Sequence, residues 1–284
     1  MSNKKVIQRN TKNIGLHSKG DNNGYDDNGN LVDGYQHGDA LHVDNEVTKE
    51  LDPLFKTVAK NIVETYNPKT VLELGCGNGQ LSYEIRKLNP DILTVTADAN
   101  RDLLDNDTFK MLDENHFPVR TDEEFSFTYE DSKDRIEFDV IVSLEHFEHI
   151  PTDNVDQLMY NIHNHSKEGT QLMFTAAKWE YEEEGREHIH CTVKPYLWWV
   201  NLIEQFRFYP RNPDIDSYPE PFLIGRCMNG TTSEIFARRT ENRRTEYKWS
   251  TGPDTEWYDI KGTKYVYSSN EFRKAILARD GIVG

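Results

Sequence analysis

Residues 71–82 read VLELGCGNGQLS, an apolar run of strand-forming composition, three glycines at alternate positions, and the start of an amphipathic stretch, QLSYEIRKL. Glycine admits backbone conformations that a Cβ forbids and lets a ligand approach the peptide groups. The first turn of a following helix adds unpaired N–H donors. Strand, glycine loop and helix in that order predict a nucleotide-type binding crossover turning at Gly75, Gly77 and Gly79. The spacing G-x-G-x-G departs from the G-x-G-x-x-G of dinucleotide loops, which disfavours NAD and a dehydrogenase.

Outward from this loop the alternation continues. ILTVTAD reads as a second strand, RDLLDNDTFKML as a helix, FSFTYED as a weaker third strand and FDVIVSL as the fourth. DNVDQLMYNIHNHS is a helix, TQLMFTAA a fifth strand and KPYLWWVNLIEQF a further helix. FRFYP, FLIGRC and SEIFARR compete for the last two strands. Upstream, Val47, Leu51, Leu54, Phe55, Val58, Ile62 and Val63 recur at three- and four-residue spacing, one apolar face of a helix. The expectation is an α/β fold, a doubly wound, mostly parallel seven-stranded sheet with helices on both faces. It occupies residues 47–239, between an Asn/Asp/Gly-rich extension, 1–46, and a C-terminal extension, 240–284. The N-terminal GDNNGYDDNGNLVDGYQHGD superficially suggests a calcium loop. With Gly29 at the loop glycine, however, Gly24 and Tyr35 fall where acidic ligands belong.

The formal charge of −16 over 284 residues repels phosphate backbones, so nucleic acid is disfavoured as a partner; the short basic cluster ARRTENRR reads as solvated surface. Cys76, Cys191 and Cys227 are odd in number and scattered, which argues against a disulfide framework. No apolar run approaches the roughly 20 residues of a membrane span. The N-terminus also lacks an apolar leader, so a cytoplasmic location with no membrane partner is the expectation. Oligomeric state is left open.

Three features occur in order: VLELGCGNG after the first strand, an acidic residue in TADAN closing the second, and FDVIVSLEHFEHI at the fourth. With them the chain resembles the class I, Rossmann-like S-adenosylmethionine-dependent methyltransferases. The resemblance implies S-adenosylmethionine as cofactor. Glu73 would orient its methionyl amino group, and Gly75, Cys76, Gly77 and Gly79 would lie against its methionine portion. Asp98, followed by Ala99, would accept hydrogen bonds from its ribose hydroxyls, an acceptor-only role suited to a diol. Asp131, after the third strand, is the candidate for adenine, and Ser143 and Leu144 would line the cofactor where the fourth strand ends.

The polar run SLEHFEHIP, residues 143–151, follows that strand at the edge where doubly wound sheets bind ligands. If a helical turn begins there, Glu145, Glu148 and His149 at i, i+3 and i+4 share a face, while His146 and Phe147 point elsewhere. Two carboxylates and an imidazole make most of a divalent-metal site, their oxygen-rich composition favouring magnesium or manganese over zinc. REHIHC, residues 186–191, adds His188 and His190, one of which would complete it. E-x-x-E-H with a later His resembles the metal site of methyltransferases acting on the 3′-terminal ribose of small RNAs. A similar segment occurs in ubiquinone-type O-methyltransferases.

Glu145, His149 and His190 are the candidate catalytic residues; Glu145, Glu148, His149 and His190 are the candidate metal ligands. A metal-free reading stands beside this one, in which His149 or His190 is a general base in a polar pocket. The expected reaction is methyl transfer to an oxygen of a small molecule or sugar. Methylation of a small amine and a non-catalytic cofactor-binding protein are the alternatives, with RNA ribose methylation behind them on account of the charge. His163 and His165 read as surface or capping residues, Tyr196, Trp198 and Trp199 as core, and WEYEEEG, residues 179–185, as an acidic loop or lid.

Overall fold

A computed structural model describes residues 5–9, 45–99, 111–132, 134–177, 190–194, 196–210 and 231–238. The strands are β1 (Val6–Arg9), β2 (Thr70–Leu74), β3 (Leu93–Asp98), β4 (His116–Pro118), β5 (Ser126–Tyr129), β6 (Phe138–Ser143), β7 (Ser166–Ala177), β8 (Phe208–Pro210) and β9 (Thr231–Arg238). The helices are α1 (Asn45–Asn61), α2 (Gln80–Leu88), α3 (Val155–Asn164) and α4 (Tyr196–Gln205). None of the described helices is long and apolar enough to cross a membrane.

Seven strands form one sheet in the order β4-β3-β2-β6-β7-β9-β8. The first five are mutually parallel, and β9 runs against both of its neighbours. The chain moves outward from β2 through β3 to β4, then returns to lay β6 on the other side of β2. This reversal opens a crevice at the carboxyl ends of β2 and β6, where ligands bind in such sheets.

Strand alternation sends successive residues to opposite faces, and both faces are covered. Val71, Val140, Val142 and Met173 pack with Val58, Ala59 and Ile62 of the first helical segment and with Leu81 and Ile85 of α2. Leu72, Leu74, Ile141, Leu172 and Phe174 pack on the other side with Leu158 and Ile162 of α3 and with Trp198 and Trp199 of α4. The two tryptophans are core, as their helical spacing suggested.

Three expectations are corrected. FSFTYED does not supply the third strand of the sheet: β5 pairs antiparallel with β1, Val6 opposite Tyr129, in a separate two-stranded ribbon. The sheet's strand is the three-residue β4, too short for any periodicity; its Pro118, which lacks an N–H, stands at the edge, where a strand tolerates one. The N-terminal segment is therefore not wholly an appendage, since Val6 is 2% exposed and belongs to the core. Finally, His163 and His165 are fully buried rather than on the surface, although His165 does cap the C-terminus of α3, the other role read for it. The Nδ1–H of His165 donates to Asn161 O (2.8 Å) and its Nε2 accepts the Phe127 N–H (3.0 Å), fastening the ribbon to the end of α3. The calcium-like stretch, most of the 101–112 helix, FLIGRC, WEYEEEG, His188, Cys227 and the extension 240–284 lie outside the described residues.

Candidate functional site

Two loops leave the carboxyl edge at the crevice, one after β2 and one after β6. In the first, Gly75, Gly77 and Gly79 take φ of 66°, 51° and 72°. These left-handed values fold the chain back, so that Gly75 N–H donates to Ala97 O (2.8 Å) and Gly77 N–H to Asp98 Oδ2 (2.9 Å). Asp98, half-buried at the end of β3, is thereby held beside the loop with Ala99 following it.

Glu73 turns under the loop, where its Oε2 accepts the Ser82 N–H (3.1 Å) and the Ser82 hydroxyl, capping the first turn of α2. Burial pushes this carboxyl up to about 7; the Ser82 hydrogen bonds oppose the shift, and the Asp98 charge adds to it. Cys76 is buried, its Sγ 3.7 Å from His116 Nδ1. Burial, with the charges of Asp98 and Glu73, raises the thiol well above its ordinary range, so it is not a thiolate nucleophile. Ser143 hydroxyl donates to Leu74 O (3.1 Å), tying the end of β6 to the root of the glycine loop, and Leu144 packs toward α1 and α2.

Asp131 is not brought to this edge. It is exposed, and with Asp139 and Lys167 it acts on the Tyr129 phenol. Lys167 pairs with Asp139 (2.6 Å), and Asp139 accepts the Lys69 and Thr70 N–H groups at the start of β2. These groups gather at the amino ends of the strands, across the sheet from the glycine loop. The displacement follows from β5 having left the sheet.

No helical turn begins at Glu145, which has φ of 48°. The chain reverses there, with the Glu145 N–H donating to Thr175 Oγ1 (2.7 Å), and a short 3-10 turn follows at Phe147–His149. Glu145, Glu148 and His149 therefore do not lie along one α-helical face. A different grouping forms: ligand atoms of Glu148, His149 and His190 all lie within 4.8 Å of one another. Glu145 stands outside that trio but acts on it, because burial first and the Glu145 charge second hold Glu148 well above the usual carboxylate range.

Glu148 is wholly buried. Its Oε1 accepts the Ala177 N–H (3.0 Å), its peptide oxygen accepts the Thr192 N–H (2.9 Å), and its Oε2 has no hydrogen-bond partner among the described residues. The His149 and His190 rings meet edge to face, centroids 5.0 Å apart. His190 is held by its neighbour: the Thr192 hydroxyl donates to Ile150 O (2.6 Å). A buried carboxyl with ligand atoms of two imidazoles within 4.8 Å suits a divalent cation or a proton in transit.

The sequence reading passed over Thr175, the Ala177 peptide and Thr192, which hold this turn, and over His146, whose ring covers Gly75. Burial brings His146 down to about 4, against the pull of Asp122, so it is neutral. A hydroxyl within the apolar TQLMFTAA was the one local signal for Thr175; Thr192 gave none.

A family profile described as "Methyltransferase domain" matches residues 42–212, more than half of the chain. The chain belongs to the methyltransferase-domain family. It is a class I, S-adenosylmethionine-dependent methyltransferase.

Among solved structures, the methyltransferase is similar to the complex of the Haloferax volcanii Trm112 activator with a putative methyltransferase. That match has 16% identity and a TM-score of 0.50, covering 73% of this chain and 99% of the other. The Synechocystis PCC 6803 magnesium protoporphyrin IX methyltransferase with bound SAH matches at 12% identity and TM-score 0.47, over 68% and 84% of the two chains. An O-methyltransferase family protein from Burkholderia thailandensis matches at 12% and 0.46; the chain covers 63% of its length, with 72% of its own residues matched. No curated protein sequence matches significantly.

Proposed function

We propose that the chain transfers the methyl group of S-adenosylmethionine to a hydroxyl oxygen of a small molecule or sugar, held at Glu148, His149 and His190. The observation supporting this is the convergence of those three side chains at the β6 edge, one strand from the glycine loop. The family's cofactor fits the loop: Gly77 and Gly79 bring no side chain between a ligand and the backbone, while Gly75 lies under the His146 ring, and the Asp98 carboxylate beside the loop supplies the acceptor that ribose hydroxyls would need. Glu73 has one oxygen committed to Ser82, so the other is the one that would face the methionyl amino group.

The acceptor hydroxyl gives its proton to His149 or His190 as its oxygen attacks the methyl carbon. The carbon–sulfur bond breaks in the same displacement, its electron pair staying on sulfur, and S-adenosylhomocysteine leaves. Most of the acceleration comes from holding oxygen, methyl carbon and sulfur in line.

The trio also fits a divalent cation, since a buried carboxyl and two imidazoles bring ligand atoms within 4.8 Å of one another. Two nitrogen donors to one oxygen suit manganese better than magnesium. Such an ion, when bound, would lower the pKa of the acceptor hydroxyl. Glu148, protonated by burial, must release its proton to ligate, so metal affinity should rise with pH.

The test is methyl transfer from labelled S-adenosylmethionine to a panel of hydroxyl and amine acceptors, with manganese or with excess chelator. Turnover on hydroxyls, lost with chelator and restored by manganese, is expected. Full turnover in chelator leaves the imidazoles as bases and overturns the metal. Turnover confined to amines overturns the oxygen assignment.

A further inference from the structure

His146 sits between the two loops, and none of the chemistry above uses it. It is the only residue of SLEHFEHIP whose ring reaches the glycine loop among the described contacts. A Cβ built on Gly75 would come 2.3 Å from His146 Cγ, so the imidazole lies directly against the loop backbone. Both ring nitrogens are engaged, Nδ1 with Ser143 Oγ (2.9 Å) and Nε2 with Thr121 Oγ1 (2.9 Å).

The proton positions follow from the partners. Ser143 spends its hydroxyl hydrogen on Leu74 O, so its oxygen accepts from His146 Nδ1–H. His146 Nε2 then carries the lone pair and accepts from the Thr121 hydroxyl. The result is a directed chain, Thr121 O–H to Nε2, Nδ1–H to Ser143 Oγ, Ser143 O–H to the carbonyl of Leu74. It joins the segment after β4 and the end of β6 to the last residue before the glycine loop. Hydroxyl groups at both ends and Gly75 beneath the ring leave one orientation and one tautomer.

We propose that His146 is a positioning residue for the cofactor: its ring, fixed by Thr121 and Ser143, holds the Gly75–Gly79 loop in its binding shape. Its ring nitrogens bond Ser143 and Thr121 and none of the trio, and its peptide oxygen, which accepts the His149 N–H (3.0 Å), is kept by any side-chain variant, so the effect of the ring should fall on cofactor affinity. Phe147 and Glu148 follow it directly, but the role assigned here is independent of any metal.

The experiment is calorimetric binding of S-adenosylhomocysteine to wild type, His146→Phe, His146→Asn and Thr121→Val, with thermal unfolding of each. Wild-type binding checks the cofactor assignment by itself. Given that binding, the Phe variant keeps the ring over Gly75 but loses both hydrogen bonds, and its Kd should rise about tenfold or more. The Asn variant restores a donor toward Ser143 and should recover part of the loss. Thr121→Val, which removes one partner at nearly constant volume, should weaken binding severalfold, and stands as the test should the Phe variant fail to fold. Nitrogen-15 correlation spectra of wild type at pH 7.5 should show the His146 proton on Nδ1. Unchanged affinity in the folded Phe and Val variants, or a proton on Nε2, overturns the proposal. So does an Asn variant no better than Phe.

Discussion

The loops after β2 and β6 leave adjacent strands of the same sheet edge, yet they are built by opposite means. The first is shaped mainly by its own backbone, with three left-handed glycines and peptide donors turned onto Ala97 and Asp98, and the His146 ring of the second loop laid against Gly75. The second is shaped by groups far away in sequence: Thr175 and Ala177 at the end of β7, and Thr192 beyond it. A site made from backbone needs little more than the right residues in order, whereas a site made from distant side chains exists only once the sheet has formed. This division matches the proposed division of labour, cofactor on one loop and acceptor on the other.

The harshest way to probe the contrast is Gly75→Val. The added side chain meets His146 and forces a β-branched residue to φ near 66°. Binding of S-adenosylhomocysteine should fall more than a hundredfold in calorimetry, and stability by on the order of 3 kcal/mol in denaturant unfolding. Next comes a reciprocal pair. Asp98→Ala should raise the Kd for S-adenosylhomocysteine tenfold or more, the loss of hydrogen bonds to a charged acceptor, and leave manganese binding intact. Glu148→Ala should abolish methyl transfer while that Kd stays within about threefold. A shared loss of cofactor affinity would show that the two loops are one site and end the distinction.

A smaller effect is read from pH. The folded Glu73 carboxyl is raised from 4.5 to about 7, so it contributes stability below pH 4.5 that is lost as pH rises through 7. Buried Glu148 acts in the same direction. His146, lowered from 6.5 to about 4, acts oppositely, losing its contribution as pH falls below 6.5. Between pH 6.5 and 8 the Glu73 effect outweighs the residual opposing one of His146, and the ligand-free protein should lose about 1 kcal/mol through Glu73 before that offset. Glu73→Gln should flatten that part of the profile in denaturant titrations. The mildest probe is Thr192→Val, which removes the hydrogen bond to Ile150 O and should cost about 1 kcal/mol of stability. S-adenosylhomocysteine affinity should not change.

Much of the fold was legible because its signals are local. TVLEL, the glycine loop and α2 could be read in place, as could β3, β6, β7 and the apolar face of α1. The third strand was misread because FSFTY has the better strand composition but pairs with residues more than a hundred positions away, while HFP is too short to show a pattern. Asp131 was lost with it. The residues proposed to hold the acceptor were all named, and of the four candidate metal ligands Glu148, His149 and His190 do come together; the assumed helical turn that placed Glu145 on one face with Glu148 and His149 failed, because the left-handed Glu145 broke that register.

By itself, then, the sequence determined the alternation of strands and helices, the glycine loop, the acidic end of β3 and the identity of the polar residues after β6. Short-range sterics and hydrogen bonding decide these, and they leave a period or a spacing behind. Only the tertiary structure decided that β5 leaves the sheet, that Glu73 caps α2, that His190 joins Glu148 and His149, and that His146 lies on Gly75. Those outcomes depend on which segments the sheet order brings together, and contacts between segments distant in the chain leave no period in it.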